Sequence, residues 1–178
     1  MFYWIKRLFG GKQMAVLQSG AAAPDFQLKT MDGQPFALKD EAAKTPVVLA
    51  FFKVGCPTCQ YTFPFLDRIY KAYPRDRVKV VGVSQDDAAA TQAFVKEYGV
   101  TFPVVLDELK KYPASNAFQL QNVPSTFAIG KGGKIEFSTI GWIKDEIEKL
   151  NEAVARFTGI PPAQIFKYGE RVLDFKAG

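Results

Sequence analysis

Two periods of hydrophobic recurrence alternate along this chain, and the switches between them mark its elements. Val47-Val48-Leu49-Ala50-Phe51-Phe52 is an unbroken apolar run of strand length behind Pro46, as expected of a buried strand. Directly after it, Cys59, Phe63, Leu66 and Tyr70 fall four, three and four residues apart, on one face of a helix from about Pro57 to Tyr73. Pro64 lies inside that helix, removes one internal hydrogen bond and predicts a kink. Arg77 to Val83 is the next strand. Ser84-Gln85-Asp86-Asp87 resembles a helix cap, and the helix it opens runs to Tyr98 with Gly99 at its end. Pro103 to Leu106 is a short strand, and Asp107 to Phe118 a helical connection that Pro113 interrupts. Thr126 to Ile129 and Lys134 to Ile140 form a hairpin around Gly130-Lys131-Gly132-Gly133. Ile143, Ile147, Leu150 and Val154 then mark an amphipathic helix that Gly159-Ile160-Pro161-Pro162 ends. Upstream, residues 24–38 read as two short strands about Met31-Asp32-Gly33, followed by a short helical or irregular link opened by Asp40 and Glu41. The order predicts an α/β fold: a central mixed sheet with helices on both faces and an N-terminal β-hairpin.

This pattern occupies residues 20–158, leaving an extension at 1–19 and a tail at 159–178. Phe2, Ile5 and Phe9 share one face of a short helix, but Lys6 and Arg7 interrupt the apolar positions. No continuous stretch reaches signal-peptide length, and nothing approaches a membrane span. A helix this short is marginal alone, so the favoured reading is a segment that docks on its own domain or frays. A weak membrane-surface or partner contact is the other reading, and a start at Met14 would remove the segment. In the tail, Gly169 and Asp174-Phe175 faintly echo the spacing of Gly20 and Asp25-Phe26. Packing back onto the domain is the expectation for it.

Composition narrows the class. A chain of 178 residues with 48% apolar content is expected to form one globular domain with extensions, large enough to fold without disulfides. Aromatic residues are 14%, with 16 Phe, which points to a Phe-rich core or an apolar groove at the site. Of the net charge of +5, Lys6, Arg7 and Lys12 supply three charges before the first acid, Asp25. The rest is close to balanced, and no basic stripe argues for nucleic acid.

The chemistry lies in Cys56-Pro57-Thr58-Cys59, which holds both cysteines of the chain. The motif sits where the buried strand turns into a helix. Unpaired N–H groups and the positive end of the helix dipole favour a thiolate there, so Cys56 is the expected nucleophile. Cys59, one turn further in, is placed to resolve a disulfide formed on Cys56. Pro57 suits the first helical position, where its missing N–H costs nothing. Structural zinc needs four ligands, and the chain has no other Cys and no His. A purely structural disulfide closing so short a loop would contribute little stability. CxxC within a βαβ pattern is a redox signature.

CPTC after an apolar strand resembles the thioredoxin-like fold, and within it the TlpA/ResA-type thiol-disulfide oxidoreductases that border on the AhpC/TSA redoxins. Ala23-Pro24-Asp25-Phe26-Gln27-Leu28 with Asp32-Gly33 resembles the opening hairpin of that group. Tyr98-Gly99-Val100-Thr101-Phe102-Pro103-Val104 resembles its midsection, and Val123-Pro124-Ser125-Thr126-Phe127 the loop that carries a cis-proline beside the CxxC. The resemblance spans roughly residues 20–158. It implies catalysis by Cys56 and Cys59, with Val123, Pro124, Gly55 and Pro57 as the substrate-binding surface. The departures are specific. Gly55 replaces the usual tryptophan before the first cysteine. Ala50 stands where thioredoxins carry a buried aspartate, and Thr62 where the ResA type carries a glutamate. The threonine and proline that precede a peroxidatic cysteine are Lys53 and Leu49.

The expected function is thiol-disulfide exchange with protein or small-molecule disulfides, supplied by an unidentified thiol electron donor. No cofactor and no metal are expected, because the cysteines carry the electrons. The alternatives are a thiol-dependent peroxidase working through a sulfenic acid, and a redox-controlled binding module without turnover. The lack of a signal-peptide pattern favours the cytoplasm, whereas the resemblance favours the cell envelope. An apolar wall of Phe51, Phe52 and Phe63 is expected to raise the pKa of Cys59.

Overall fold

Every residue of the apolar run at Val47–Phe52 is buried, and the rest of the molecule is layered on that strand. The computed structural model describes residues 17–178; the helical reading of Phe2, Ile5 and Phe9 lies outside the described residues. The elements follow the chain as β1 (Gln27–Thr30), β2 (Pro35–Ala37), α1 (Leu38–Lys44), β3 (Val47–Phe52), α2 (Pro57–Ala72), β4 (Lys79–Ser84) and α3 (Ala88–Glu97). Then come β5 (Val104–Leu106), α4 (Pro113–Ala117), β6 (Ser125–Ile129), β7 (Ile135–Ile140), β8 (Trp142–Ile143), α5 (Lys144–Thr158) and β9 (Phe175–Lys176). Seven strands form one mixed sheet in the order β2-β1-β5-β4-β3-β6-β7. β3 pairs in parallel with β4 and antiparallel with β6, so it lies within the sheet and is covered on both faces.

Alternation along β3 builds two cores from one strand. Val48, Ala50 and Phe52 face a cluster filled by Cys59, Phe63, Leu66 and Ile69 of α2, Phe94 of α3, and Ile147, Leu150 and Val154 of α5. Val47, Leu49 and Phe51 face the other side, against Leu38 and Ala42 of α1 and Ala114 of α4. This corrects the expected apolar wall around Cys59. Phe52 and Phe63 belong to its cluster, but Phe51 points through the sheet and packs on Phe118 and Phe127. Consecutive strand residues cannot share a face.

One further correction concerns a helix boundary, and one expected cap is located. Pro113 opens α4 rather than interrupting it. Its missing N–H is harmless at that position, and the buried Asp107 carboxylate accepts from the next two amides, Ala114 N and Ser115 N, at 3.0 and 2.9 Å. The expected cap stretch Ser84–Asp87 does hold the cap of α3: it is Asp87, whose side chain accepts from Ala90 N at 2.8 Å, while Ser84 closes β4.

The tail packs back as expected, and it does so as a strand: β9 pairs antiparallel with β8, Trp142 opposite Lys176 and Ile143 opposite Phe175. The echo between the tail and residues 20–26 has no structural counterpart, since Gly20 and Ala23 donate instead to Ile135 and Gly133 of the β6–β7 hairpin. Among the described residues no helix is long and apolar enough to cross a membrane.

Candidate active site

The strand-to-helix junction holds both sulfurs in a fixed order. Cys56 is the N-cap of α2 with extended backbone, and its Sγ accepts from Cys59 N at 3.2 Å. The sulfur thus takes one of the helix N–H groups left without a helical acceptor. Cys56 Sγ also lies 3.4 Å from the carbonyl oxygen of Val123, to which its thiol donates. Cys56 is half-buried and Cys59 fully buried, and both are free thiols. Pro57 stands exposed at the first helical position.

The loop before the dithiol is pinned from two sides. Asp86 accepts from Val54 N at 2.8 Å, and Gln60 Nε2 donates to Val54 O at 2.9 Å. Gly55 is exposed, and a Cβ there would meet nothing within 4 Å. Space therefore does not explain why this position departs from tryptophan. The Val123–Pro124 peptide is cis, and the loop carries Val123 to the side of Cys56. The sequence-predicted residues Gly55, Cys56, Pro57, Cys59, Val123 and Pro124 thus converge on one end of the sheet.

Burial dominates the electrostatics of the inner sulfur. It pushes the Cys59 thiol well above the ordinary cysteine range, and the hydrogen bond with Cys56 pushes it in the same direction. Positions 50 and 62 offer no acid. Ala50 is buried opposite Gly82 and Thr126, and the buried Thr62 hydroxyl donates to Thr58 O at 2.7 Å.

Cys56 opens into a hollow lined by Lys53, Gln85, Ser115, Asn116 and Val123 among others. A larger and more apolar groove lies elsewhere, against Phe36, Leu106 and Leu109. It contains no sulfur, so the smaller hollow is the one with chemistry.

Sequence reasoning missed what covers this site. The Thr58 hydroxyl donates to Ala177 O, and Thr58 is only 4% exposed. Gly178 borders the hollow with Cys56. A Cβ on Gly178 would fall 2.8 Å from Val123 O, so the tail backbone lies directly against the cis-proline loop. Further back, Trp142 Nε1 donates to Leu173 O at 2.6 Å, Leu173 N donates to Tyr61 OH at 2.9 Å, and Lys144 N donates to Asp174 O at 2.9 Å. Arg68 grips Glu170 with two hydrogen bonds of 2.8 and 2.6 Å, which hold the Glu170 carboxyl down at about 2. The only sequence signal is the alternation Leu173-Asp174-Phe175-Lys176, a period-two pattern too short to stand alone.

A mixed sheet with a CxxC at the head of its first long helix, facing a cis-proline loop, defines the thioredoxin-like class of redox proteins. Residues 19–138 match the model of the AhpC/TSA family, and the chain belongs to that family. Among its relatives, the thiol-disulfide oxidoreductase ResA of Bacillus subtilis is 33% identical over 129 residues, covering 72% of this chain and 69% of that one. The solved structure of StoA from Bacillus subtilis is 28% identical, with a TM-score of 0.61 over 75% of this chain and 98% of its own. A thiol:disulfide interchange protein of the thioredoxin family from Chlorobium tepidum superposes with a TM-score of 0.65 at 20% identity, covering 82% of this chain and 100% of that one. At that identity the likeness speaks for the fold alone.

Proposed function

We propose that this chain is a thiol-disulfide oxidoreductase in which Cys56 forms the mixed disulfide and Cys59 resolves it. The observation that carries the assignment is the order of the sulfurs: Cys56 at the open head of α2, Cys59 buried one turn below with its amide on Cys56 Sγ at 3.2 Å. In the reducing direction the Cys56 thiolate attacks a substrate disulfide. The Cys56–substrate bond forms, the substrate S–S bond breaks, and one substrate sulfur leaves as a thiol. Cys59 then loses its proton and attacks Cys56 Sγ. The internal disulfide forms, the second substrate sulfur leaves, and two electrons have passed from protein to substrate. An unidentified thiol donor returns them. The reverse sequence oxidises a dithiol through the same intermediate.

Val123 and Pro124 supply the backbone edge beside which a substrate strand pairs, and Gly55 and Pro57 leave the approach to Cys56 open. Protein disulfides are the substrate class that the oxidoreductase relatives support, and small disulfides use the same step. Peroxide reduction is disfavoured by Lys53, which cannot substitute for the threonine hydroxyl expected of a peroxidase. Hydroxyethyl disulfide reduction and peroxide consumption, assayed side by side so that both reagents are small, test the assignment. Cys56→Ser abolishes exchange, and Cys59→Ser accumulates a covalent adduct that reductant releases. Full turnover by Cys59→Ser without an adduct, or faster consumption of peroxide than of disulfide, overturns it.

A further inference from the structure

An extended substrate that pairs with the Val123 backbone beside Cys56 lies across the first turn of α2. That strip is already occupied by Phe175–Gly178. β9 is held on β8, Thr58 donates to Ala177 O, and the backbone at Gly178 lies against Val123 O. The crossing is tight on its other side too. Gly141 has φ +71°, and a Cβ there would stand 3.0 Å from both Lys176 O and Gly178 N. Glycine at 141 thus admits the strand backbone that a side chain would push away.

The strap's own side chains are not what holds it. Phe175 is 65% exposed and Leu173 48% exposed. The contacts are main-chain pairing, one threonine hydroxyl and the bonds to Trp142, Tyr61 and Lys144. A strand held by its backbone on a small patch competes for that patch with any other strand that makes the same backbone contacts. The sulfur itself stays half-buried, and the hollow that Gly178 borders extends from it to Lys53 and Gln85.

We propose that Asp174–Gly178 is an autoinhibitory strap that occupies the protein-substrate strand site. It admits small disulfides to Cys56 through the hollow and excludes extended polypeptides until it is displaced. The proposal rests on the oxidoreductase reading of Cys56 and Cys59. It assigns to the tail a selection between two substrate classes that share one chemical step.

The test compares the 178-residue chain, a chain ending at Leu173, and the full-length variant Lys176→Pro. The truncation keeps the Leu173 carbonyl for Trp142. The proline removes the N–H of the residue paired with Trp142 while keeping the length, so the result does not depend on the truncation alone. Each is assayed with reduced insulin as product and, separately, with hydroxyethyl disulfide. Cys56 labelling by iodoacetamide and by a maleimide carried on a polyethylene glycol chain is measured independently of turnover. Both variants are expected to raise the insulin rate and the bulky-maleimide rate about tenfold, with less than a twofold change for hydroxyethyl disulfide and iodoacetamide. Insulin and maleimide rates within twofold of the parent in both variants, or parallel increases for large and small reagents, overturn the strap. Absence of exchange with either disulfide in all three proteins overturns the oxidoreductase reading instead, while the labelling ratio still decides the strap.

Discussion

The resolving step should be limited by the proton on Cys59, and pH is the perturbation that exposes it. Burial is the first cause of the raised Cys59 pKa, and the side-chain hydrogen bond with Cys56 is the second. Forming a mixed disulfide on Cys56 removes the second cause and leaves the first. Cys59 therefore remains a protonated thiol at neutral pH in the intermediate that it must resolve. Below its pKa the thiolate fraction rises tenfold per pH unit, so the resolving rate should rise by about a thousandfold from pH 6 to pH 9. Neither Ala50 nor Thr62 can accept the proton and flatten the slope. Ellman's reagent separates the steps under rapid mixing. One equivalent of chromophore is released as Cys56 attacks, in a phase that depends on reagent concentration. The second is released as Cys59 resolves, in a first-order phase that does not. A resolving phase that is flat across this range would mean that another group takes the proton, and burial of Cys59 would then not set the rate.

Two predictions concern how the tail is held. Trp142 is fully buried against Tyr61, Phe65 and Phe166, so Trp142→Ala should cost about 3–5 kcal/mol in urea unfolding; a loss below about 1 kcal/mol would show that the aromatic cluster is not a core. Glu170 has a folded-state pKa lowered from 4.5 to about 2 by Arg68. Its contribution is therefore complete above the ordinary glutamate value and is lost as pH falls through about 2. Near-ultraviolet circular dichroism should show an acid transition in that window that Glu170→Gln removes, and superimposable profiles would show that the ion pair does not tether the tail.

The fold is legible in the sequence where one period runs long enough. The apolar run gives β3 its observed bounds, and the spacing of Cys59, Phe63 and Leu66 places the buried face of α2. Both sulfurs and the cis bond before Pro124 follow from short motifs whose chemistry is local. What is not legible depends on contacts distant in sequence. Phe51 reads as part of the Cys59 wall because six buried residues in a row hide the alternation that separates the faces. Pro113 reads as a break because the carboxylate that makes it a good helix start, Asp107, lies six residues upstream. β8 and β9 span two residues each, too short to show a period, and their partners are more than thirty residues apart. The cover over Thr58 is invisible in the sequence for that reason.

The split of β3 into two cores also governs which parts of this protein can change. Shifting that strand by one residue would turn Val48, Ala50 and Phe52 toward α1 and α4, and Val47, Leu49 and Phe51 toward α2 and α5. Both interiors would be lost together, so the strand acts as a jig that sets Cys56 against Val123. The strap is under no such constraint, being held mainly through its backbone with half-exposed side chains. Mutation can therefore adjust how long the gate stays shut, residue by residue, while the distance between the reacting sulfur and its docking edge stays constant.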